Sequence, residues 1–332
     1  MIPINYIEVV HLYNSRISMA AVSEIVLVYK VEQYIERCVR SLMEQTFDDI
    51  EFIFVNDCTP DKSMDILRRV IEDYPARTPQ IRIIENEVNR GAAASRNIGL
   101  DAATGDYIIF TDSDDWVEPT MVADMYNVAI RDNCDIVWCR ADNQYSADLG
   151  PKADAYVRAL LNRRVNPGPI NKLVRSELYS KVRYIENCNN GEDLNLNIKL
   201  HTLAEKVGFI DEVYYKINID NEQSITRLRG NHIPNGESLV KNVADIASYL
   251  ESLDLDKVYV RELDFCKVNA KEYLLIMGDK DSLVKWTTIF PETNKRIMKL
   301  PNYPLYTRMI MWLLAKGIIW PFVLKEKIKN II

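Results

Sequence analysis

With 332 residues, 48% apolar and 27% charged, the chain has a globular composition sufficient for one large domain or two ordinary ones. A net charge of −7 excludes sequence-independent nucleic-acid binding through a basic surface. Six cysteines without a C-x-x-C pair and only three histidines (His11, His201 and His232) argue against a zinc site or disulfide scaffold and fit reduced thiols in a cytosol.

Residues 1–18 contain His11, Asn14 and Arg16 and lack the uninterrupted apolar core of a secretory signal, so 1–21 is read as an N-terminal extension. Between residues 22 and 139, short apolar runs alternate with helical periodicity. Val22–Val28 is expected as a strand, and 35–45 as a helix with Ile35, Cys38, Val39 and Leu42 on one face. Strands over 51–56, 81–86, 107–111 and 135–139 alternate with helices over 62–73, 92–103 and 120–133. Such alternation predicts a mostly parallel sheet covered on both faces, with ligands outside the carboxyl ends of its strands. Glu24 places a charge inside the first strand and leaves its register open.

Past Cys139 the pattern loosens. A helix is expected over 152–164, a break at Pro167-Gly168-Pro169 and another helix over 174–181. Asn190-Gly191-Glu192-Asp193 reads as a turn feeding a helix over 194–203, with strands over 206–210 and 213–217. Beyond 235 the chain reads as helical. Apolar runs over 309–315 and 318–324 carry Trp312, Trp320 and Phe322, and Lys325, Lys327 and Lys329 follow. These runs are too short to span a bilayer. They suit an interfacial helix on an anionic membrane surface, or a terminal helix docked on the rest of the chain or on a second copy.

The chemistry-bearing stretch is Tyr107 to Trp116, where a strand runs into Asp112, Ser113, Asp114 and Asp115. Two carboxylates at a strand end can share a hard divalent cation bridging to a diphosphate. An acidic turn that keeps a strand end soluble is the alternative. Asp57 likewise follows a strand. It could cap the next helix, but Thr59 and Asp61 stand nearer that helix start.

Four features stand in order: Val55-Asn56-Asp57, the segment Asn89-Arg90-Gly91 through Asn97, the acidic cluster at 112–115, and Glu192-Asp193. With Tyr29 through Cys38, Asn171-Lys172-Leu173 and Ser224 through Arg227, this ordered set resembles the family 2 glycosyltransferases over roughly residues 22–230. The resemblance implies an α/β fold of the GT-A nucleotide-diphospho-sugar transferase type, a mostly parallel Rossmann-like sheet with helices on both faces and a helical C-terminal extension. It implies a catalytic domain over 22–230, with a nucleotide-binding half (22–140) and an acceptor-binding half (141–230). A helical region over 231–332 follows, in which 303–330 is the membrane-surface candidate.

It further implies an inverting hexosyltransferase of saccharide biosynthesis, dependent on Mn²⁺ or Mg²⁺, moving a sugar from a UDP-sugar to a hydroxyl of a saccharide or lipid-linked saccharide. The expected place is the cytoplasm, or the inner face of the plasma membrane as a peripheral protein. By resemblance, Asp114 and Asp112 are the metal ligands, and Asp112 and Ser113 contact the nucleotide-sugar. Asp57 accepts from the base, for which an acceptor-only carboxylate suits an N–H edge. Tyr29 lines the base pocket or is a packed strand-end aromatic. Arg96 reaches base or phosphate, or is a surface arginine. Asp193 is the general base, the alternative being that Glu192 and Asp193 simply favour a helix N-terminus.

Asp115 acts through water or orients its neighbours. Lys172 approaches the diphosphate or is a solvated helix-start lysine. His232 completes the metal shell if its segment folds back, whereas His11 and His201 are structural. The chain departs from the family's pattern at Leu27, Cys58 and Ile170, where proline, glycine and tryptophan are commoner. Haloacid-dehalogenase-type phosphatases also end a strand in Asp-x-Asp, but Asp115-Trp116 departs from their pattern. A catalytically inactive transferase-like scaffold at the membrane is the remaining alternative, against which the retained Asp57, Asp112, Asp114 and Asp193 argue.

Overall fold

The computed structural model of the chain describes residues 20–142, 146–221 and 236–319. Its first half alternates strand and helix: β1 (Val22–Val28), α1 (Ile35–Met43), β2 (Ile50–Asn56), α2 (Ser63–Glu72), β3 (Ile81–Glu85), α3 (Ala92–Ala102) and β4 (Tyr107–Asp112). The strands pair in parallel in the order β3-β2-β1-β4. Val22–Val28 and Ile50–Asn56 are rich in β-branched and aromatic residues and buried on both faces, as central parallel strands require. Alternate side chains serve opposite faces. Val26, Phe52 and Phe54 pack with α1 and α2, whereas Ile25, Ile53 and Val55 join the other core layer with Ala93 and Leu100 of α3. Gly99 lets α3 lie close to the sheet, because a Cβ there would stand 2.5 Å from Ile25 Cγ2.

The sheet continues through β5 (Trp116–Val117), α4 (Met121–Asp132), β6 (Ile136–Ala141), α5 (Ala153–Leu161), β7 (Lys172–Arg175), α6 (Ser176–Lys181), α7 (Glu192–Leu203) and β8 (Val207–Lys216). The full order is β3-β2-β1-β4-β7-β6-β8-β5, with β7 and β5 antiparallel to their neighbours. Helices α8 (Gly236–Ser252) and α9 (Val260–Ala270) pack Val243, Ile246, Leu250, Leu263 and Cys266 into the same core layer as α3, α5 and α7. Helices α10 (Glu272–Met277), α11 (Lys280–Thr288) and α12 (Leu305–Ala315) close a smaller cluster around Trp286, Ile297, Met311 and Leu314. The helical C-terminal region is therefore present. No helix among the described residues is long and apolar enough to cross a membrane.

Two expectations need correction, and two features are added to them. Residues 172–175, in part assigned to a helix, form β7, because β4 and β6 both need backbone partners on their facing edges and this segment supplies them antiparallel. The helix starts only at Ser176. The two strands expected over 206–217 are one, β8; Asp211-Glu212 is a bulge across which the partner shifts from Cys139↔Ile210 to Arg140↔Val213. Strand β5, two residues long, gave no periodic signal. Glu24 is in register and fully buried, opposite Phe52 and Ile109. Residues 1–19, with His11, and 222–235, with Ser224 to Arg227 and His232, lie outside the described residues, as do those beyond 319.

Candidate functional site

The parallel register brings the carboxyl ends of β1, β2 and β4 to one edge, with Val28 opposite Asn56 and Leu27 opposite Asp112. Beyond this edge Asp112 to Asp115 form a turn closed by the Asp115 N–H donating to Asp112 O at 3.0 Å, and the chain enters β5. Pairing of β5 with β8 carries Tyr215 and the residues after it to the turn. The Tyr215 hydroxyl accepts from the Asp112 N–H and donates to Asp115 Oδ2, both at 2.9 Å. Asp115 Oδ1 accepts the Asn218 N–H at 2.8 Å, and Asp114 Oδ2 accepts from Asn221 Nδ2 at 2.8 Å. Asp115 is buried in these bonds, the arrangement of a residue that orients its neighbours.

The crowding is visible in proton affinities. Desolvation, then Asp112 and Asp114, push the Asp115 carboxyl up to about 8 against its two hydrogen bonds. Asp112 is pushed up to about 6 by desolvation and by Asp114 and Asp193, with Arg96 opposing. The Asp112 side chain is 46% exposed. Burial lifts the nearby Cys38 thiol well above its usual range, and the carboxylates of Asp115, Glu24, Asp114 and Asp112 add to it.

Arg96, on α3, reaches this cluster from the other core layer. Its Nη1 donates to Asp193 Oδ1 at 2.7 Å, its Nη2 lies 3.6 Å from Asp112 Oδ1, and the guanidinium carbon is 5.3 Å from the centroid of the Tyr184 ring. Burial disfavours the charge, but Asp193, Tyr184, Asp112 and Glu192 outweigh it and hold the guanidinium protonated. Arg96 is thus buried, not a surface arginine. Asp193 lies in the first turn of α7, which Gly191 opens with φ +85°.

Asp57 is buried, and its carboxylate accepts from Asn86 Nδ2 at 3.0 Å and from the N–H groups of Arg90 and Gly91 at 2.7 and 2.9 Å. Asn86 also donates to Ser95 Oγ, so Asp57 holds the loop from which α3 and Arg96 project. The Tyr29 ring is 39% exposed, not packed, with the Lys30 ammonium 5.2 Å from its centroid. A cavity of about 540 Å³ opens nearby between Lys30, Gln33, Tyr34, Pro60 and Asn221. Ser113 is buried within the acidic turn.

Two basic residues have structural environments. Lys172 is neither solvated nor at a helix start: it is buried on β7, its Nζ donating to Gly168 O, Ile170 O and Asn171 Oδ1, 3.9 Å from the centroid of Trp138. Burial lowers its proton affinity to about 7, with Asp193 and Cys139 opposing. His201 accepts from Trp138 Nε1 through Nε2, so its Nδ1 carries the proton given to Asn197 O, and burial drops it to about 3. It is a neutral core histidine.

Folding therefore brings Asp112, Ser113, Asp114, Arg96 and Asp193 to one place, with Asp57 one hydrogen-bonded step behind Arg96 and Tyr29 at the neighbouring strand end. Sequence reasoning missed Tyr215, Asn218 and Asn221, the clasp on the acidic turn. Nothing in their spacing marks them, because their partners lie about a hundred residues away.

Comparison with known proteins agrees with this architecture. The family described as "Glycosyl transferase family 2" matches residues 23–164. EpsH of Bacillus subtilis (strain 168), named a glycosyltransferase, is 31% identical over 261 residues, covering 74% of this chain and 73% of EpsH. Residues 1–349 of S. aureus TarS, solved in complex with UDP, superpose with a TM-score of 0.62 at 17% identity, over 92% of this chain and 91% of that one. The mannosyltransferase PcManGT from Pyrobaculum calidifontis, solved with GDP-Man and Mn²⁺, gives a TM-score of 0.53 at 15% identity, over 95% of this chain and 94% of that one. The fold is that of the GT-A transferases.

Proposed function

This chain belongs to glycosyltransferase family 2, and we propose that it is an inverting, metal-dependent enzyme moving a sugar from a UDP-sugar to a hydroxyl of a saccharide or lipid-linked saccharide, with Asp193 as general base. The observation that carries this reading is the single buried guanidinium of Arg96, which spans Asp112 at the end of β4 and Asp193 at the start of α7. A donor held at the strand end and a base held on α7 are then within reach of one another. UDP is the first nucleotide to test because TarS was solved with it; PcManGT, with GDP-Man, makes GDP the second.

Asp112 and Asp114 fit a hard divalent cation in chemistry: both offer carboxylate oxygen, and Asp112 is raised by desolvation and by the charges of Asp114 and Asp193, which a cation would offset. Among the described residues no group of three acidic, histidine or cysteine side chains is gathered as a metal site, so the other ligands would come from donor phosphates, from water or from His232, which lies outside those residues. A bound Mn²⁺ or Mg²⁺ would offset the negative charge of the leaving diphosphate. The chain's own residues do the rest. Asp115, Tyr215 and Asn218 fix the turn that presents Asp112 and Asp114. Asp57 accepts from the nucleotide base and holds the loop that sets Arg96, and Tyr29 flanks the base. Ser113 contributes to donor binding within the turn.

Arg96 donates to the Asp193 carboxylate and so aims it. Asp193 takes the proton of the acceptor hydroxyl as that oxygen attacks. Attack by that hydroxyl on the anomeric carbon in one displacement inverts its configuration. In this division 22–140 carries the nucleotide and 141–230 the acceptor.

Calorimetric titration of UDP with Mn²⁺ and with EDTA, beside Asp114→Ala, tests the reading. Metal-dependent binding that the variant loses supports it. Absence of binding by UDP, GDP and TDP alike would overturn it in favour of an inactive scaffold.

A further inference from the structure

We infer that the outer face of α12 seats the protein on an anionic lipid bilayer. The helix has two stripes. Met311 and Leu314 are buried in the small C-terminal cluster, while Leu305, Tyr306, Met309 and Trp312 stand 56%, 68%, 51% and 41% exposed. Leu305, Met309 and Trp312 follow one another at i, i+4 and i+7, so they share a face one turn apart. Ile318, just beyond the helix, and Met298, just before it, are exposed as well. An apolar stripe of this size facing water marks a binding surface.

Charge identifies the occupant. Residues 295–319 hold five Lys and Arg and no acid, a net charge of +5, whereas the other 307 residues carry −12. Lys295, Lys299 and Lys316 are exposed around α12, and none of them is in an ion pair among the described residues. A second copy docked about a two-fold axis would set this basic patch against its own equal, and two such positive fields repel. A leaflet of anionic lipid matches both features: lysines read the headgroups, and Tyr306 and Trp312 place apolar rings with polar edges at the interface. With eleven residues α12 cannot cross the bilayer and lies along it. This surface is independent of the donor chemistry proposed above.

Flotation of the full chain with vesicles of phosphatidylcholine alone, and of phosphatidylcholine mixed with phosphatidylglycerol, tests the inference. The protein is expected to float with the mixed vesicles and stay behind with the neutral ones. Replacing two exposed apolar residues, Tyr306→Ser with Met309→Ser, lowers the partition coefficient about tenfold. The triple variant Lys295→Gln, Lys299→Gln, Lys316→Gln lowers it about tenfold or more. All five side chains are exposed, and circular-dichroism melts matching the wild type confirm folding; should one variant fail, the other stands. Equal binding to both vesicle types, binding to neither, or undiminished binding by the folded variants would overturn the inference. So would a wild-type dimer, measured by light scattering, that Tyr306→Ser with Met309→Ser turns into a monomer.

Discussion

Arg96 Nη1 on α3 and Asp193 Oδ1 on α7 are 2.7 Å apart, and the same guanidinium lies 3.6 Å from Asp112 at the end of β4. The pair joins residues 97 positions apart and is buried on the arginine side, where its side chain is 9% exposed. Arg96 is therefore a positioning residue in the proposed reaction. A lysine there keeps the charge but lacks the planar fork that holds two carboxylates in fixed directions. Arg96→Lys is expected to lower kcat/KM about 100-fold for the UDP-sugar found by screening, because the base is no longer aimed. Steady-state kinetics with calorimetry separates this from donor affinity; an unchanged kcat/KM would remove Arg96 from the mechanism.

Asp193→Asn preserves shape and deletes the base. Turnover should fall by about 10²- to 10⁴-fold, the range a positioned acid–base group supplies. Metal-dependent UDP affinity should stay within about threefold of the wild type, since the loss falls on chemistry and not on binding. A variant that keeps wild-type turnover would assign Asp193 to the helix N-terminus alone.

Tyr215→Phe removes a hydroxyl that both accepts from Asp112 N–H and donates to Asp115. Two buried polar groups lose a partner, so unfolding by urea should show a loss of about 1–3 kcal/mol. UDP binding in Mn²⁺ should weaken too, because the turn presenting Asp112 and Asp114 is no longer fixed. Normal stability together with normal binding would show that the clasp contributes nothing.

Glu24 gives a pH-dependent prediction. Burial pushes its carboxyl from 4.5 up to about 7, opposed by the Thr111 hydroxyl bonded to Oε1, while the buried Oε2 has no partner. Below pH 4.5 the group is protonated whether folded or unfolded. Between 4.5 and 7 the unfolded chain releases the proton and the folded one keeps it, so stability falls as pH rises. Above 7 the loss is complete, about 3 kcal/mol for a shift of this size. Glu24→Gln abolishes this component. The variant should gain about 3 kcal/mol relative to the wild type between pH 4.5 and pH 8 in urea unfolding, and a difference that does not change with pH would contradict the assignment.

Much of residues 22–140 could be read locally. Val22–Val28 was located to the residue, and Asp57, Asp112 and Arg96 were picked out from their positions after strands or on the following helix. Residues 141–230 were harder. Lys172 shows the reason: before a Leu-Val pair it looks like a helix start, and only the open edges of β4 and β6 make it a strand residue whose ammonium is taken up by three oxygens.

What the sequence by itself determined is what depends on neighbours a few residues away: the period-two and helical patterns, the turn chemistry at Gly91 and Gly191, and the order of acidic residues along the chain. What only the tertiary structure decided is which of those residues meet. Asp115 is a clasped orienting group because Tyr215 and Asn218 arrive from β8, and Asp193 shares a guanidinium with Asp112 because α3 and α7 pack in one core layer. Such contacts arise from burying apolar surface across the whole fold, and local periodicity carries no record of them.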